Sequence, residues 1–361
     1  MTKVLLTVPS KQGKQKRENK LTDFFQTAHI LEQLLAKNYT VITTVRSKSK
    51  ADLIRDAHAD LVKSGRLSVA IVPDIAVLSA FDDLVAKIAS GPDGDLEYVI
   101  HTASPLFFTF TDAQKEIITP ALNGTRGILE AVKRSAPAVK RVVITSSFAA
   151  ILSEDDFTNP NATFSEASWN PDTVKDANRS IATGYHVSKV ESERLAWDFV
   201  KKEKPNFDLV TVNPPLVLGP VAHSLASVDA INASNERIAD LLRGKWKTEI
   251  PETGPVDLYI DVRDTAAAHI KALELPEASG HRLFPVASRT SNHEIAKIIR
   301  DNFPEFAERL PGPEVKGGEH VDENKAYKWN CDETNKLLKI DWIPVEQSMI
   351  DTVNSLKDKG I

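Results

Sequence analysis

The chain has 361 residues, of which 42% are hydrophobic and 26% charged, and a formal net charge of −5. This length and composition suit one large α/β domain, or a core domain with a smaller lobe, and supply enough apolar residues for a substantial core. The acidic balance argues against a nucleic-acid binder, which would be basic with clustered charge, and no run of about 18 apolar residues suggests a membrane span.

Short apolar or β-branched runs alternate with helical patterns over much of the chain. Residues 4–7 (VLLT) predict a first strand, and 28–37 (AHILEQLLAK), apolar at helical spacing, a first helix. The β-branched run 40–45 predicts a second strand, 48–62 a charged amphipathic helix, and 67–72 a third strand ending at Pro73-Asp74. A helix over 77–89 is closed by Gly91-Pro92 and Gly94. A strand at 97–101 follows, then a long helix over 112–135 with a kink expected from Pro120 and Gly124. A strand at 141–145, a helix over 183–202 and a strand at 208–212 complete the alternation. The pattern predicts an α/β fold, a doubly wound parallel sheet covered on both faces. After Pro220, helical stretches at 233–243, 263–273 and 292–302 are separated by Pro- and Gly-rich connections. The expected organisation is a Rossmann domain over 1–220 and a smaller mixed substrate lobe over 221–361, partly interleaved with the first.

A dinucleotide fold needs a glycine-rich turn between its first strand and first helix, so that the pyrophosphate can approach the helix N-terminus. Here residues 8–27 (VPSKQGKQKRENKLTDFFQT) hold one glycine, Gly13, and set Lys11, Lys14, Lys16, Arg17 and Lys20 against Glu18 and Asp23. No G-x-G-x-x-G or G-x-x-G-x-x-G can be written there. Three readings compete: translated intron or mis-joined coding sequence in place of a glycine loop, a divergent loop whose lysines attract phosphate as point charges, or a protein that has lost cofactor binding. The lysines alone read as a solvated loop.

The strongest catalytic pattern is Tyr185-His186-Val187-Ser188-Lys189. Residues four apart share a helix face. A lysine ammonium beside a phenol stabilises the phenolate, which suits a proton donor working near neutral pH. The spacing alone also fits an exposed helix with a stray aromatic. Its context is more specific, because Tyr185 opens the helix after the fifth strand and that strand ends in Thr145-Ser146-Ser147. Carboxyl ends of strands are where such sheets bind ligands. The single cysteine, Cys331, cannot form an internal disulfide and reads as a small buried hydrophobe. No histidine pair or carboxylate cluster has metal-ligand spacing. The short apolar N-terminus does not read as a signal peptide, so the cytosol is the expected compartment.

A strand ending in TSS and a following Y-x-x-x-K helix resemble the extended short-chain dehydrogenase/reductases. Further blocks are closer: His101-Thr102-Ala103-Ser104-Pro105, Val72-Pro73-Asp74-Ile75, Asn123-Gly124-Thr125-Arg126-Gly127-Ile128-Leu129, Ser168-Trp169-Asn170-Pro171, Val212-Asn213-Pro214 with Gly219-Pro220, and Tyr259-Ile260-Asp261-Val262-Arg263-Asp264. They resemble the fungal methylglyoxal (isovaleraldehyde) reductase group, near relatives of dihydroflavonol reductases. The resemblance runs from residue 28 to the C-terminus and departs at 8–27, where the family has its glycine loop.

The resemblance implies NADPH-dependent reduction of small aldehydes or ketones to alcohols. Ser147 matches the catalytic serine that hydrogen-bonds the substrate carbonyl, with Ser146 the alternative one register away. Tyr185 matches the proton donor and, with Lys189, a cofactor contact; Lys189 matches the residue that binds the nicotinamide ribose and tunes the tyrosine. Arg46, with Lys50 behind it, matches the NADP-selecting position; a guanidinium suits a 2′-phosphate, where an acidic residue would take the ribose hydroxyls of NAD. Asp74 and Ile75 match adenine-side contacts, and Thr102 and Ala103 would run under the cofactor. Pro214, Val217 beside the carboxamide, and Ser234 match further cofactor contacts. Phe107, Phe108, Phe148 and Leu216 would line the substrate pocket, although aromatics of this kind are as often plain core. Asp261 and Asp264 look structural.

Two other functional classes stay open: a non-catalytic or cofactor-defective relative, and a nucleotide-sugar epimerase or dehydratase. Nothing structural demands Ser147, Tyr185 and Lys189 together, which speaks against the first. The apolar run Leu106-Phe107-Phe108 favours a small carbonyl over a nucleotide diphosphate. The expected partner is a small-molecule carbonyl compound, with no nucleic acid and no membrane, and the chain a monomer or homodimer.

Overall fold

The computed structural model describes residues 2–8, 25–91, 95–104, 110–222 and 232–360. The N-terminal part alternates β1 (Lys3–Thr7), α1 (Phe25–Ala36), β2 (Thr40–Val45), α2 (Lys48–Ala57), α3 (Ala59–Lys63), β3 (Leu67–Ile71), α4 (Asp82–Ala89) and β4 (Leu96–His101). It continues through α5 (Thr119–Ser135), β5 (Arg141–Thr145), β6 (Thr163–Phe164), α6 (Ile181–Glu203) and β7 (Asp208–Val212). Then follow β8 (Leu216–Leu218), α7 (Ala233–Leu242), β9 (Leu258–Asp261), α8 (Val262–Glu274), β10 (Arg282–Leu283) and β11 (Ser288–Arg289). The chain closes with α9 (Asn292–Asn302), β12 (Lys328–Trp329), α10 (Asp332–Leu338) and α11 (Val345–Lys357).

Seven strands form one sheet in the order β10-β7-β5-β4-β1-β2-β3, with every pairing parallel. Side chains of a strand alternate between faces, and both faces of this sheet are covered. Val4 and Leu6 pack with α1, α2 and α8, whereas Leu5 packs on the opposite side with α4, α5 and α6. The strands therefore read as continuous apolar runs rather than as alternating ones. Strand order reverses at β1, whose neighbours are β2 and β4. In such sheets the ligand crevice opens at that reversal, outside the carboxyl ends.

The second lobe is built on β8, β9 and β11, with β8 parallel and β11 antiparallel to β9. Its core joins Leu218, Ile238, Leu242, Tyr259, Ile295, Met349 and Val353 from this sheet and from α7, α9 and α11, with Trp246 from the turn after α7. α8 and β10 return to the main sheet, α8 against α1 and β10 beside β7. The expected doubly wound parallel sheet with a smaller mixed unit is what forms.

Four local expectations are corrected. α1 begins at Phe25 rather than Ala28, and Phe25 is buried with Val217, Ile260 and Val262. Val8 is also ordered into the core, its N–H donating to Thr44 Oγ1 at 3.1 Å. The glycine-poor stretch is thereby bounded at both ends; its residues 9–24 lie outside those described. The helix expected over 48–62 is two helices, broken at His58 (φ −128°, ψ 37°). The helix expected from 77 starts at Asp82, because the preceding residues fold onto α5: Asn123 Nδ2 donates to the Ala76 carbonyl at 3.0 Å, and Val77 and Leu78 are exposed. The irregularity in 112–135 falls before Pro120. Thr119 N–H bonds the Gln114 carbonyl, closing a π-helical turn over Gln114–Ile118. Pro120 has no N–H to continue the ordinary ladder, so the turn ahead of it widens.

Candidate active site

The crevice floor is tied together by hydroxyls. Thr102 Oγ1 donates to the Thr7 carbonyl at 2.6 Å and lies 2.8 Å from Thr27 Oγ1. Its one hydrogen is used on Thr7, so the Thr27 hydroxyl donates to Thr102. One residue thus pins β1, β4 and the first turn of α1 at the sheet's reversal, with Ala103 buried beside it. The first N–H groups of α1 have no partner within the helix and can serve an anion.

Arg46 is exposed just past β2, and Lys50 follows in the first turn of α2, where its N–H donates to the capping Ser47 Oγ at 3.4 Å. Asp74 braces its own turn, Oδ1 accepting from Ala76 N at 2.9 Å, and Ile75 is buried. The loop after Asp74 is held by α5 at very short range. A Cβ added to Gly127 would come within 2.5 Å of the Leu78 carbonyl oxygen. Only glycine permits that approach.

Beyond β5, Ser146 and Ser147 part company. Ser146 is buried, and its Oγ donates to Glu193 Oε2 at 2.6 Å. Ser147 is extended (φ −162°, ψ 157°) and partly exposed; it caps the 3₁₀ turn Phe148–Ala150, with Oγ accepting from Ala149 N at 3.1 Å. Accepting that bond leaves the Ser147 hydroxyl hydrogen to donate elsewhere.

α6 packs against this turn. It starts after Ser180, whose Oγ accepts from Thr183 N at 2.9 Å. Tyr185 and Lys189 are partly exposed, whereas Thr183, Gly184, His186, Val187, Ser188 and Val190 around them are buried. Lys189 Nζ lies 5.7 Å from the centre of the Tyr185 ring. Ser188 Oγ donates to the Tyr185 carbonyl at 2.7 Å, bracing that turn. Across from them His101 ends β4, fully buried, with Nδ1 2.8 Å from Thr7 Oγ1. Burial and then the Lys189 charge push its pKa down to about 3, so the ring is neutral.

The remaining predicted residues are placed as follows. The Pro214 carbonyl accepts from Phe148 N at 3.0 Å, joining the ends of β5 and β7. Val217 is buried beside Phe25, and Leu216 and Ser234 are partly exposed. The Phe148 ring is only 2% exposed; it stacks on Phe284 at 5.0 Å and touches Phe164 and Tyr327, so it packs as core. Phe107 and Phe108 lie outside the described residues. Asp261 caps α8 through Arg263 N at 2.7 Å and pairs with the Arg263 guanidinium. Asp264 accepts from Ile343 N at 2.7 Å, and burial lifts its pKa to about 6. Among the described residues no group of three or more His, Cys, Asp or Glu side chains is placed to hold a metal ion, and no helix is long and apolar enough to cross a membrane.

Sequence reasoning missed Glu193 and Asn213. Asn213 Nδ2 donates to Glu193 Oε2 at 2.6 Å and to the Ser147 carbonyl at 3.3 Å. The available signal was the position of Glu193, one further turn along α6 from Lys189, between apolar Val190 and Ala196.

A parallel sheet that reverses at β1, with hydroxyl, phenol and ammonium groups gathered at its carboxyl edge, defines a doubly wound, dinucleotide-type α/β fold. Residues 25–287 match the NAD dependent epimerase/dehydratase family, and the chain belongs to that family. It is 39% identical over 338 residues to the ketoreductase azaE of Aspergillus niger, covering 93% of this chain and 96% of that protein. It is 33% identical over 341 residues to the NADPH-dependent methylglyoxal reductase GRE2 of Saccharomyces cerevisiae, covering 92% and 95% of the two. The crystal structure of the yeast methylglyoxal/isovaleraldehyde reductase Gre2 complexed with NADPH matches with a TM-score of 0.84 at 30% identity, over 99% of this chain and 98% of that one. The family resemblance read from the sequence blocks is borne out.

Proposed function

We propose that this chain is an NADPH-dependent reductase of small aldehydes and ketones, acting through Ser147, Tyr185 and Lys189. The observation that carries this reading is that Tyr185 and Lys189 are the partly exposed positions in an otherwise buried stretch of α6, on the helix packed against the Ser147 turn. The relatives' printed activities, ketone and methylglyoxal reduction, support the substrate class.

The donor set fits NADPH. The α1 N-terminus supplies N–H groups for a phosphate, and Arg46 stands at the end of β2, where the 2′-phosphate is told from a bare ribose. Asp74 and Ile75 would border the adenine, Thr102 and Ala103 the floor, and Pro214, Val217 and Ser234 the nicotinamide end. Bound there, NADPH supplies a hydride for the carbonyl carbon. Ser147 donates its hydroxyl hydrogen to the carbonyl oxygen and orients it. Tyr185 holds the proton that this oxygen takes up as it becomes an alcohol, and the Lys189 ammonium stabilises the phenolate left behind.

Calorimetric NADPH binding and a turnover screen over small aldehydes and ketones test this on the unaltered chain, beside a version with residues 9–24 replaced by a glycine-rich turn. Binding and carbonyl-dependent NADPH oxidation by the unaltered chain support the reading. Binding confined to the replaced version means that the lysine-rich stretch has cost this chain its cofactor. Absence of both from both versions overturns the reading.

A further inference from the structure

One buried carboxylate links the elements that carry the proposed chemistry. The Glu193 side chain has 0% exposure. Its Oε2 accepts from Ser146 Oγ and Asn213 Nδ2, both at 2.6 Å. Its Oε1 accepts from Arg282 Nε at 2.6 Å, Thr211 Oγ1 at 3.1 Å and Trp197 Nε1 at 3.2 Å. Arg282 is itself fixed: its Nη1 donates to the Glu166 and Ser168 carbonyls, and its guanidinium lies 3.8 Å from the centre of the Trp169 ring. A single group on α6 therefore gathers donors from the end of β5, the end of β7 and the edge strand β10.

Burying a charge is costly unless it is fully paired, and apolar side chains of the same volume would often hold a core as well or better. What they would not supply is direction. Two of the five donors bear on the Ser147 turn: Ser146 immediately precedes Ser147, and Asn213, from the end of β7, binds the Ser147 carbonyl. With Ser146 Oγ drawn to Glu193, the next side chain of this extended segment leaves on the opposite side, and that side chain is Ser147. The same Asn213 amide that binds Glu193 holds the Ser147 carbonyl at 3.3 Å. Glu193 lies on the helix that carries Tyr185 and Lys189, one turn past the lysine.

We propose that Glu193 is a positioning residue: through Ser146 and Asn213 it fixes the Ser147 backbone against the helix bearing Tyr185 and Lys189. The proposal rests on the Ser147–Tyr185–Lys189 reading above. Misplacing a reacting group by about 1 Å can cost on the order of 100-fold in rate, so a held register has kinetic value.

The test is a double-mutant cycle. Ser146→Ala removes one link and leaves Glu193 four donors, so the fold is kept. We expect a fall in kcat of about tenfold, with KM for carbonyl and for NADPH changed by less than about twofold. Trp197→Phe, which removes an Oε1 donor that does not bond the Ser147 turn, should keep kcat within about twofold. In a Ser147→Ala background, Ser146→Ala should cost nothing further, because its effect runs through Ser147. An unchanged kcat in Ser146→Ala, or the same loss with and without Ser147, overturns the positioning role. Full turnover by Ser147→Ala overturns the catalytic reading and this proposal with it. A crystal structure of Ser146→Ala decides the matter without turnover: Ser147 displaced relative to Tyr185 supports the role, and Ser147 unmoved overturns it.

Discussion

The Lys189 ammonium stands 5.7 Å from the centre of the Tyr185 ring, one helical turn away, and its charge also reaches the buried His101 ring at the end of β4. The ammonium is therefore felt both by the Tyr185 ring and by a neutral imidazole at the end of β4. On the proposed reading Lys189 stabilises the phenolate, and His101, held neutral, adds no further positive charge.

Tyr185→Phe removes the proposed proton donor and keeps the ring. Turnover of a small aldehyde should fall by roughly 10²–10⁴-fold, with NADPH affinity little changed. Steady-state kinetics beside a binding titration separates the two effects, and an undiminished kcat would remove Tyr185 from acid–base chemistry.

Arg46 is exposed at the carboxyl end of β2, and on the proposed reading it meets the ribose 2′ substituent there. Arg46→Asp would replace the proposed phosphate partner with a group that repels phosphate and accepts from ribose hydroxyls. The ratio of kcat/KM for NADPH to that for NADH should drop by about tenfold or more. An unaltered ratio would end the selector assignment.

Gly127→Ala places a Cβ 2.5 Å from the Leu78 carbonyl oxygen, a backbone atom that can yield only if the loop moves. The variant should lose roughly 1–3 kcal/mol of stability. The same loop carries Asp74 and Ile75, so NADPH binding should weaken as well. Thermal unfolding and calorimetry read the two losses, and wild-type values in both would show that the contact relaxes freely.

The sheet was legible because strands buried on both faces are plain apolar runs and the helices between them keep a 3.6-residue period. The Tyr185–Lys189 pair was legible because four-residue spacing fixes a helix face whatever surrounds it. Other features were not local. Val77 and Leu78 looked like a helix start, yet their course is set by Asn123 and Gly127 on α5. Which of Ser146 and Ser147 is tied into the core was not legible, since it depends on Glu193 reaching one of them from α6. Phe148 was equally ambiguous until Phe284 and Tyr327, far along the chain, closed around it.

Two buried imidazoles give the fold a definite pH response. Burial drives His269 down to about 4 and His101 to about 3, against an ordinary value of 6.5. Both rings are neutral in the folded chain and take up protons near 6.5 once unfolded. Below that pH the unfolded state binds more protons than the folded one, so stability is complete above 6.5 and falls as pH drops towards 4. The slope is about 1.4 kcal/mol per pH unit for each histidine. Asp264, lifted by burial to about 6, works in the opposite sense over part of this window, because its folded form gains a proton first. Comparing one variant with the wild type isolates a single ring. His269 Nε2 lies 2.7 Å from Thr145 Oγ1 and Nδ1 2.7 Å from the Thr265 carbonyl, partners that a glutamine amide can also serve. His269→Gln should therefore lose less stability than the wild type between pH 6.5 and 5, by about 2 kcal/mol. Denaturant unfolding at the two pH values measures this, and parallel losses in both proteins would mean that His269 is protonated in the folded chain.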